Sequence, residues 1–339
     1  MLEAVAAYSR DEGIRIQSSS GGLFSILARQ ILKEGGIVFG AAYDEDFHVN
    51  YCGVDKMEEL YRLRGAKYIE SNLGNVYTQI QENLNQDRKV LFCGLPCHVA
   101  GLLRKVGNQE KLVCVDMVCH GVPPEWVWDA YLKAYQSRKG KITRVFMRDK
   151  RDSWIRSHWR IETTGVVYLE SSRENLYMRG FVEDLYLRTC CYGCKFKGIS
   201  RESDLTLGDY WGISRIHPGF ADDKGVSLVL IQSEKGKQLF QDVSRQLCWV
   251  KSDIRQAARH NPSLVLSAVR PRRHEKIMEE LKMGYDFISL MEKNLKTSII
   301  NKVMRKIRGK TTGIQVWFRF ILKPWAAIEF LNKKGGKNL

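Results

Sequence analysis

Between Arg188 and Gly212 the sequence concentrates side chains that can do chemistry. It reads Cys190-Cys191-Tyr192-Gly193-Cys194-Lys195-Phe196-Lys197, then Ser203-Asp204-Leu205-Thr206-Leu207-Gly208-Asp209-Tyr210-Trp211-Gly212. Two thiolates at Cys-x-x-Cys spacing can bind one metal centre, because the intervening turn brings both sulfurs to the same side. One such pair does not complete a four-thiolate site. Two more cysteines follow apolar, strand-like runs: Cys97 in Cys93-Gly94-Leu95-Pro96-Cys97-His98, and Cys119 in Val118-Cys119-His120-Gly121-Val122-Pro123. Sulfur donors suit zinc and iron–sulfur clusters alike. Colour separates the two: broad visible absorbance for iron–sulfur, none for a structural zinc knot. Cys52, Cys114 and Cys248 read as core cysteines, and Cys93 faces the motif turn.

A second group is built for anions. Gln17-Ser18-Ser19-Ser20-Gly21-Gly22 precedes a helix with Leu23, Phe24, Leu27, Ile31 and Leu32 on one face. Serines and glycines at a helix start leave amide groups open to a phosphate; the competing reading is a plain N-cap. Arg64-Gly65-Ala66-Lys67-Tyr68 through Ser71 reads either as a clamp for a phosphate or a flavin edge, or as a solvated basic loop. His120, beside Cys119, suits a proton relay, since an imidazole side chain in general titrates near neutrality; its bland alternative is a structural hydrogen bond.

These residues need elements to hold them. Strands are expected over 37–43, 48–54, 89–93, 112–118 and 226–232, and a short one over 204–207. Helices are expected over 57–63, 76–84, 98–106, 176–187, 236–247 and 276–282, with an aromatic helix carrying Trp126, Trp128, Tyr131 and Tyr135. The runs 142–148, 159–163 and 166–170 read as antiparallel strands, the last two joined at Thr164-Gly165. Strand, helix and strand in alternation predict a mixed α/β fold: a layered α/β N-terminal part, a mixed sheet in the C-terminal part, and ligands at strand C-terminal ends.

At 339 residues, with ordinary apolar content, the chain can bury a sizeable core. No apolar run of signal-peptide length opens it and no stretch of about 18 uncharged apolar residues occurs. A cytoplasmic, reducing location is therefore expected, in which nine cysteines serve as ligands or core residues. The net charge of +16 is uneven: from Lys296 to Leu339 eleven Lys and Arg stand against Glu329 alone. No nucleic-acid motif accompanies the charge, so nucleic acid is not an expected partner. The tail also carries Val316-Trp317-Phe318-Arg319-Phe320-Ile321-Leu322-Lys323-Pro324-Trp325. It reads either as a helical, basic docking segment for an anionic membrane surface or as a helix packed on the body.

In order along the chain, Ser19-Ser20-Gly21-Gly22, Gly65-Ala66-Lys67-Tyr68, Gly94-Leu95-Pro96-Cys97, Cys119-His120-Gly121-Val122-Pro123, Cys191-Tyr192-Gly193-Cys194 and Ser203 to Gly212 resemble the beta subunit of coenzyme F420 hydrogenase/dehydrogenase over roughly residues 4 to 250. The resemblance implies an N-terminal family domain over 1–88, a C-terminal family domain with the iron–sulfur motifs over 89–255, and a basic helical extension over 256–339. It implies an oxidoreductase carrying FAD and one 4Fe-4S cluster, passing electrons between a hydride carrier and a ferredoxin or other electron-transfer protein. Carried onto this chain, the cluster ligands are Cys97, Cys119, Cys191 and Cys194, with Cys190 competing for the place of Cys191. Ser19, Ser20, Gly21 and Gly22 hold the FAD phosphate, and Lys67 and Tyr68 the phosphate or ring edge. Trp211 and Asp209 shape the flavin or substrate pocket, and His120 and Asp209 are the candidate catalytic groups. Many relatives open on a ferredoxin-like Cys-x-x-Cys-x-x-Cys segment; its motif is not seen here, which implies either that a separate ferredoxin supplies the electrons or that the gene is a remnant. His98 stands where relatives carry Gln.

Overall fold

The computed structural model describes residues 2–295. The basic tail from Lys296 onward, and with it the expectation of membrane docking, lies outside the described residues. The strands are β1 (Glu3–Ser9), β2 (Ile37–Tyr43), β3 (Val49–Val54), β4 (Ser71–Asn72), β5 (Val90–Gly94), β6 (Leu112–Met117), β7 (Ile142–Asp149), β8 (His158–Thr163), β9 (Val166–Ser171), β10 (Leu205–Asp209), β11 (Ser227–Ile231) and β12 (Leu247–Ser252). Nine of them form one sheet in the order β12-β1-β11-β10-β6-β5-β2-β3-β4, and β7-β8-β9 form an antiparallel second sheet.

The middle of the large sheet, β10-β6-β5-β2, is parallel. Parallel strands are covered on both faces, so they read as unbroken apolar runs, as Val90-Leu91-Phe92 and Leu112-Val113-Cys114-Val115 do. Their side chains alternate between two cores. Leu91, Val113, Val115, Leu205 and Leu207 meet helices α1 (Glu12–Ile16) and α2 (Leu23–Lys33) through Ile14, Ile26, Leu27 and Ile31. Val90, Phe92, Leu112 and Cys114 meet α3 (Val76–Asn85) and α4 (Pro96–Val106) through Ile80, Leu84, Val99 and Leu102. A third core is aromatic. Trp128, Tyr131, Trp159, Tyr177, Tyr186 and Phe287 interlock between the small sheet, α5 (Glu125–Lys139), α6 (Leu176–Val182) and the helices His274–Lys282 and Phe287–Asn294. The mixed α/β class expected from the sequence is the one observed. Among the described residues no helix is long and apolar enough to cross a membrane.

Several elements differ from the sequence reading. The segment 3–9, given no element there, is a strand held between β11 and β12 by antiparallel pairing on both sides. Its alanines carry little strand preference of their own, so the two neighbours make it a strand. The helix expected over 176–187 stops at Val182, because Asp184 turns into the left-handed region at φ 59°. The helix expected over 98–106 starts at Pro96, which puts Cys97 in its first turn. Strands from both sides of residue 88 share the large sheet: β1 lies between β11 and β12, and β2 beside β5.

Candidate functional site

Cys97 and Cys119 follow β5 and β6, neighbouring parallel strands, so their turns emerge side by side at one sheet edge. The turn Thr189–Gly193 folds over the same edge. Together they enclose a cavity of about 60 Å³ whose walls include Cys97, Cys119, Cys190, Cys191 and Cys194. All four cysteines singled out from sequence therefore line one cavity, and Cys190 joins them. Cys97 lies within electrostatic reach of Cys194 and Cys190, Cys119 of Cys97 and Cys194, and Cys191 of Cys190 and Cys119. As they stand, no three His, Cys, Asp or Glu side chains among the described residues are close enough together to hold a single metal ion.

Burial sets the protonation of this cavity. It pushes the Cys119 thiol up to about 11, with Lys197 pulling the other way, and the Cys191 thiol up to about 12. It also raises Cys97, opposed by the backbone amides of Cys97 and His98 at the start of α4. At neutral pH these are thiols, so a metal must displace their protons to bind. Cations stand ready beside them. Lys197 Nζ donates to the carbonyls of Cys119 and, at 2.8 Å, Ser263. Arg201, 4% exposed, reaches Asp116 Oδ2 at 3.3 Å beneath the cavity. His98 is driven down to about 4 by burial and nearby Arg188, and its Nδ1 lies 3.2 Å from the Tyr51 hydroxyl. Gly121, at φ 153°, lets the backbone pass Cys191: a Cβ there would sit 2.9 Å from Leu187 Cδ1 and 3.2 Å from Cys191 Cβ.

His120 lines the same cavity with both ring nitrogens engaged. Nε2 pairs with Asp184 Oδ1 at 2.7 Å and Nδ1 lies 3.3 Å from Ser263 Oγ. Its ring meets Phe181 at 5.0 Å, and Phe181 meets Tyr68 at 5.0 Å. Tyr68 lies within electrostatic reach of Arg148, which opens a second constellation at the end of β10. There Asp209 pairs with the Arg148 guanidinium and accepts from Trp154 Nε1 at 3.0 Å. Trp154 stacks on Trp211 at 4.8 Å and 6°, with Arg148 5.1 Å from the Trp211 ring. Lys150, 2% exposed, donates to the carbonyls of Ser20 and Lys224. Burial, helped by Arg148 and Arg15 and opposed by Asp209 and Asp222, brings its ammonium down to about 7.

Residues 87–256 match the family model that describes the C-terminal part of the coenzyme F420 hydrogenase/dehydrogenase beta chain. The chain belongs to this family. No curated protein matches it. Among solved structures it is similar to a chain in the xenon-derivatised F420-reducing [NiFe] hydrogenase complex from Methanosarcina barkeri. The identity is 16%, the TM-score 0.53, and the match covers 83% of this chain and 93% of that one. That likeness is one of fold.

In this member of the family, the residues expected to hold flavin divide. Ser20, Tyr68, Asp209 and Trp211 meet around Arg148 and Lys150. Lys67 instead turns back on its own loop: Nζ donates to Arg64 O at 2.9 Å and lies 5.5 Å from the Tyr43 ring, and burial lowers it to about 8. Gly22 opens α2 at φ 91° without a side-chain cap. Gly21 is pressed into the sheet: its N–H donates to Ser227 Oγ at 3.0 Å, and its carbonyl accepts from Ser9 N at 2.7 Å. A Cβ on Gly21 would lie 2.5 Å from Ala7 O and 2.9 Å from Ser227 N. Gly21→Ala is therefore expected to destabilise the fold by about 1–3 kcal/mol through overpacking, read as a lower urea midpoint in protein free of any ligand. An unchanged midpoint would show that the turn can move aside.

Sequence reasoning missed Arg148, Lys150, Trp154 and Asp184. A signal for the first two was present. Along β7 the side chains alternate, and the charged run Arg148-Asp149-Lys150 ends a strand whose Val145 and Met147 are buried.

Proposed function

We propose that this protein is an iron–sulfur flavoprotein oxidoreductase that moves electrons between a hydride carrier of the coenzyme F420 type and an electron-transfer protein such as a ferredoxin. The observation that carries the reading is the convergence of cysteines from three separate segments on one cavity at the end of parallel strands. The donor set fits a 4Fe-4S cluster: it is all sulfur, flanked by Lys197 and Arg201, whose charge would offset that of four thiolates. A lone zinc ion needs its four sulfurs about 2.3 Å away. A cluster attaches one thiolate to each of four irons and so accepts a wider spread.

Cys97, Cys119, Cys191 and Cys194 would hold the cluster, with Cys190 the spare thiol beside them. The flavin would lie against Trp211 and Tyr68, with Arg148 and Lys150 facing its electron-rich edge and Ser19, Ser20 and Gly22 along the turn. Bound there, a flavin would supply two-electron chemistry toward the hydride carrier and a cluster one-electron chemistry toward the partner protein. Asp209 has both carboxylate oxygens engaged, so its part is to fix Arg148 and Trp154. His120 holds a proton between Asp184 and Ser263 at the cavity wall. The rings of Tyr68, Phe181 and His120 stand in contact between the two constellations.

Anaerobic purification with iron, sulfide and flavin analysis tests this. About four irons and one flavin per chain, with broad visible absorbance, are expected. A colourless protein with one zinc would make the cysteine cavity a structural knot, and a protein with no flavin would remove the redox reading.

A further inference from the structure

A second pocket, of about 300 Å³, opens between α1, α2 and the turn Met57–Leu63. Its size falls in the range of small-ligand sites. Ile14, Met57 and Leu60 form an apolar wall, and Gln17, Arg29 and Arg64 bring polar groups to it. Arg64 is aimed by neutral acceptors. Its Nε donates to Ser25 Oγ at 3.1 Å and one Nη to Gln17 Oε1 at 2.7 Å. Such bonds fix a guanidinium without cancelling its charge, leaving the other Nη for a ligand.

Arg29 lies one helical turn beyond Ser25 on α2 and presses a second positive charge toward Arg64, whose pKa falls through burial and through Arg29. Asp11 is the acid at this pocket. One of its oxygens is spent on the Ile14 amide, and the other is 3.9 Å from Arg29. Two guanidiniums face one loosely paired carboxylate, which leaves the pocket net positive.

We infer that this pocket binds a phosphate-bearing ligand, with Arg64 and Arg29 gripping the phosphate over a floor of the buried Ile14 and Leu60. Paired guanidiniums suit a phosphate because each of their free N–H groups makes a charge-assisted hydrogen bond to one of its oxygens. The inference does not depend on the cysteine cavity.

Calorimetric titration of the full chain with inorganic pyrophosphate at low salt tests it. Saturable one-to-one binding is expected, weakened at least tenfold by Arg64→Gln or Arg29→Gln and unchanged by Lys105→Gln on α4. Arg29 is 40% exposed on its side chain, so Arg29→Gln keeps the test intact if Arg64→Gln fails to fold. Absence of binding by the wild type, or equal binding by wild type and Arg29→Gln, overturns the inference. Adding FAD identifies the source. Flavin that displaces pyrophosphate makes the phosphate the flavin's own, and flavin that binds beside it makes the ligand a separate phosphorylated molecule; either keeps the assignment. Pyrophosphate bound through Arg29 in a protein that takes up no flavin keeps the pocket and removes the flavin reading.

Discussion

Serine at Cys119 or Cys194 is expected to abolish visible absorbance and iron retention after anaerobic reconstitution. A 4Fe-4S cluster draws on four thiolates, and a serine hydroxyl is a far weaker match for iron held by soft donors. Cys119 stands between Cys97 and Cys194 electrostatically, and its carbonyl is tied down by Lys197. The adjacent pair is different. Cys190 is exposed and Cys191 half-buried against Gly121, and both line the cavity. Cys191→Ser is expected to lose the cluster and Cys190→Ser to keep it. The reverse outcome would assign the fourth ligand to Cys190. Full iron retention in Cys119→Ser would dissolve the proposed set.

Arg148→Met is expected to cost about 3–5 kcal/mol of stability, because it strands a largely buried carboxylate. The Arg148 and Asp209 side chains are 7% and 15% exposed. Without the guanidinium, Asp209 retains Trp154 Nε1 as a side-chain donor, and the charge has little water to turn to. The double variant Arg148→Met/Asp209→Asn removes the stranded charge and is expected to recover much of the loss. Urea denaturation of the wild type, both singles and the double closes the cycle. The exposed pair Arg138–Asp286, at 2.6 Å, supplies the contrast: water screens it, and Arg138→Met should shift the midpoint little. A similar small shift for Arg148→Met would mean that Asp209 finds water on its own. Arg148 also touches Tyr68 and Trp211, so flavin content is expected to fall in the single and not to return in the double. That separates its role at the site from its role in stability.

The cysteine-bearing turns were legible in the sequence. Cys97, Cys119, Cys191 and Cys194 were readable because each sits in a short turn beside an apolar run, and turn geometry is set by a few neighbouring residues. The parallel strands β5 and β6 were readable because burial on both faces writes unbroken apolar runs. The mixed α/β class followed from their alternation with helices. Other features depend on partners far away in the chain. Residues 3–9 became a strand through pairing with β11 and β12, and nothing within the segment itself encodes those neighbours. Gly21 looked like part of an open anion loop, yet Ala7 and Ser227 close on it from two strands. Arg148 and Lys150 were given no role from the sequence, and the approach of Asp209, Ser20 and Lys224 is what makes them buried charges at a site. Spacing along a chain fixes which groups share a turn. Which distant carboxylate, carbonyl or thiol completes a site is decided when strands 90 residues apart come to lie side by side, as Cys114 and Asp204 do.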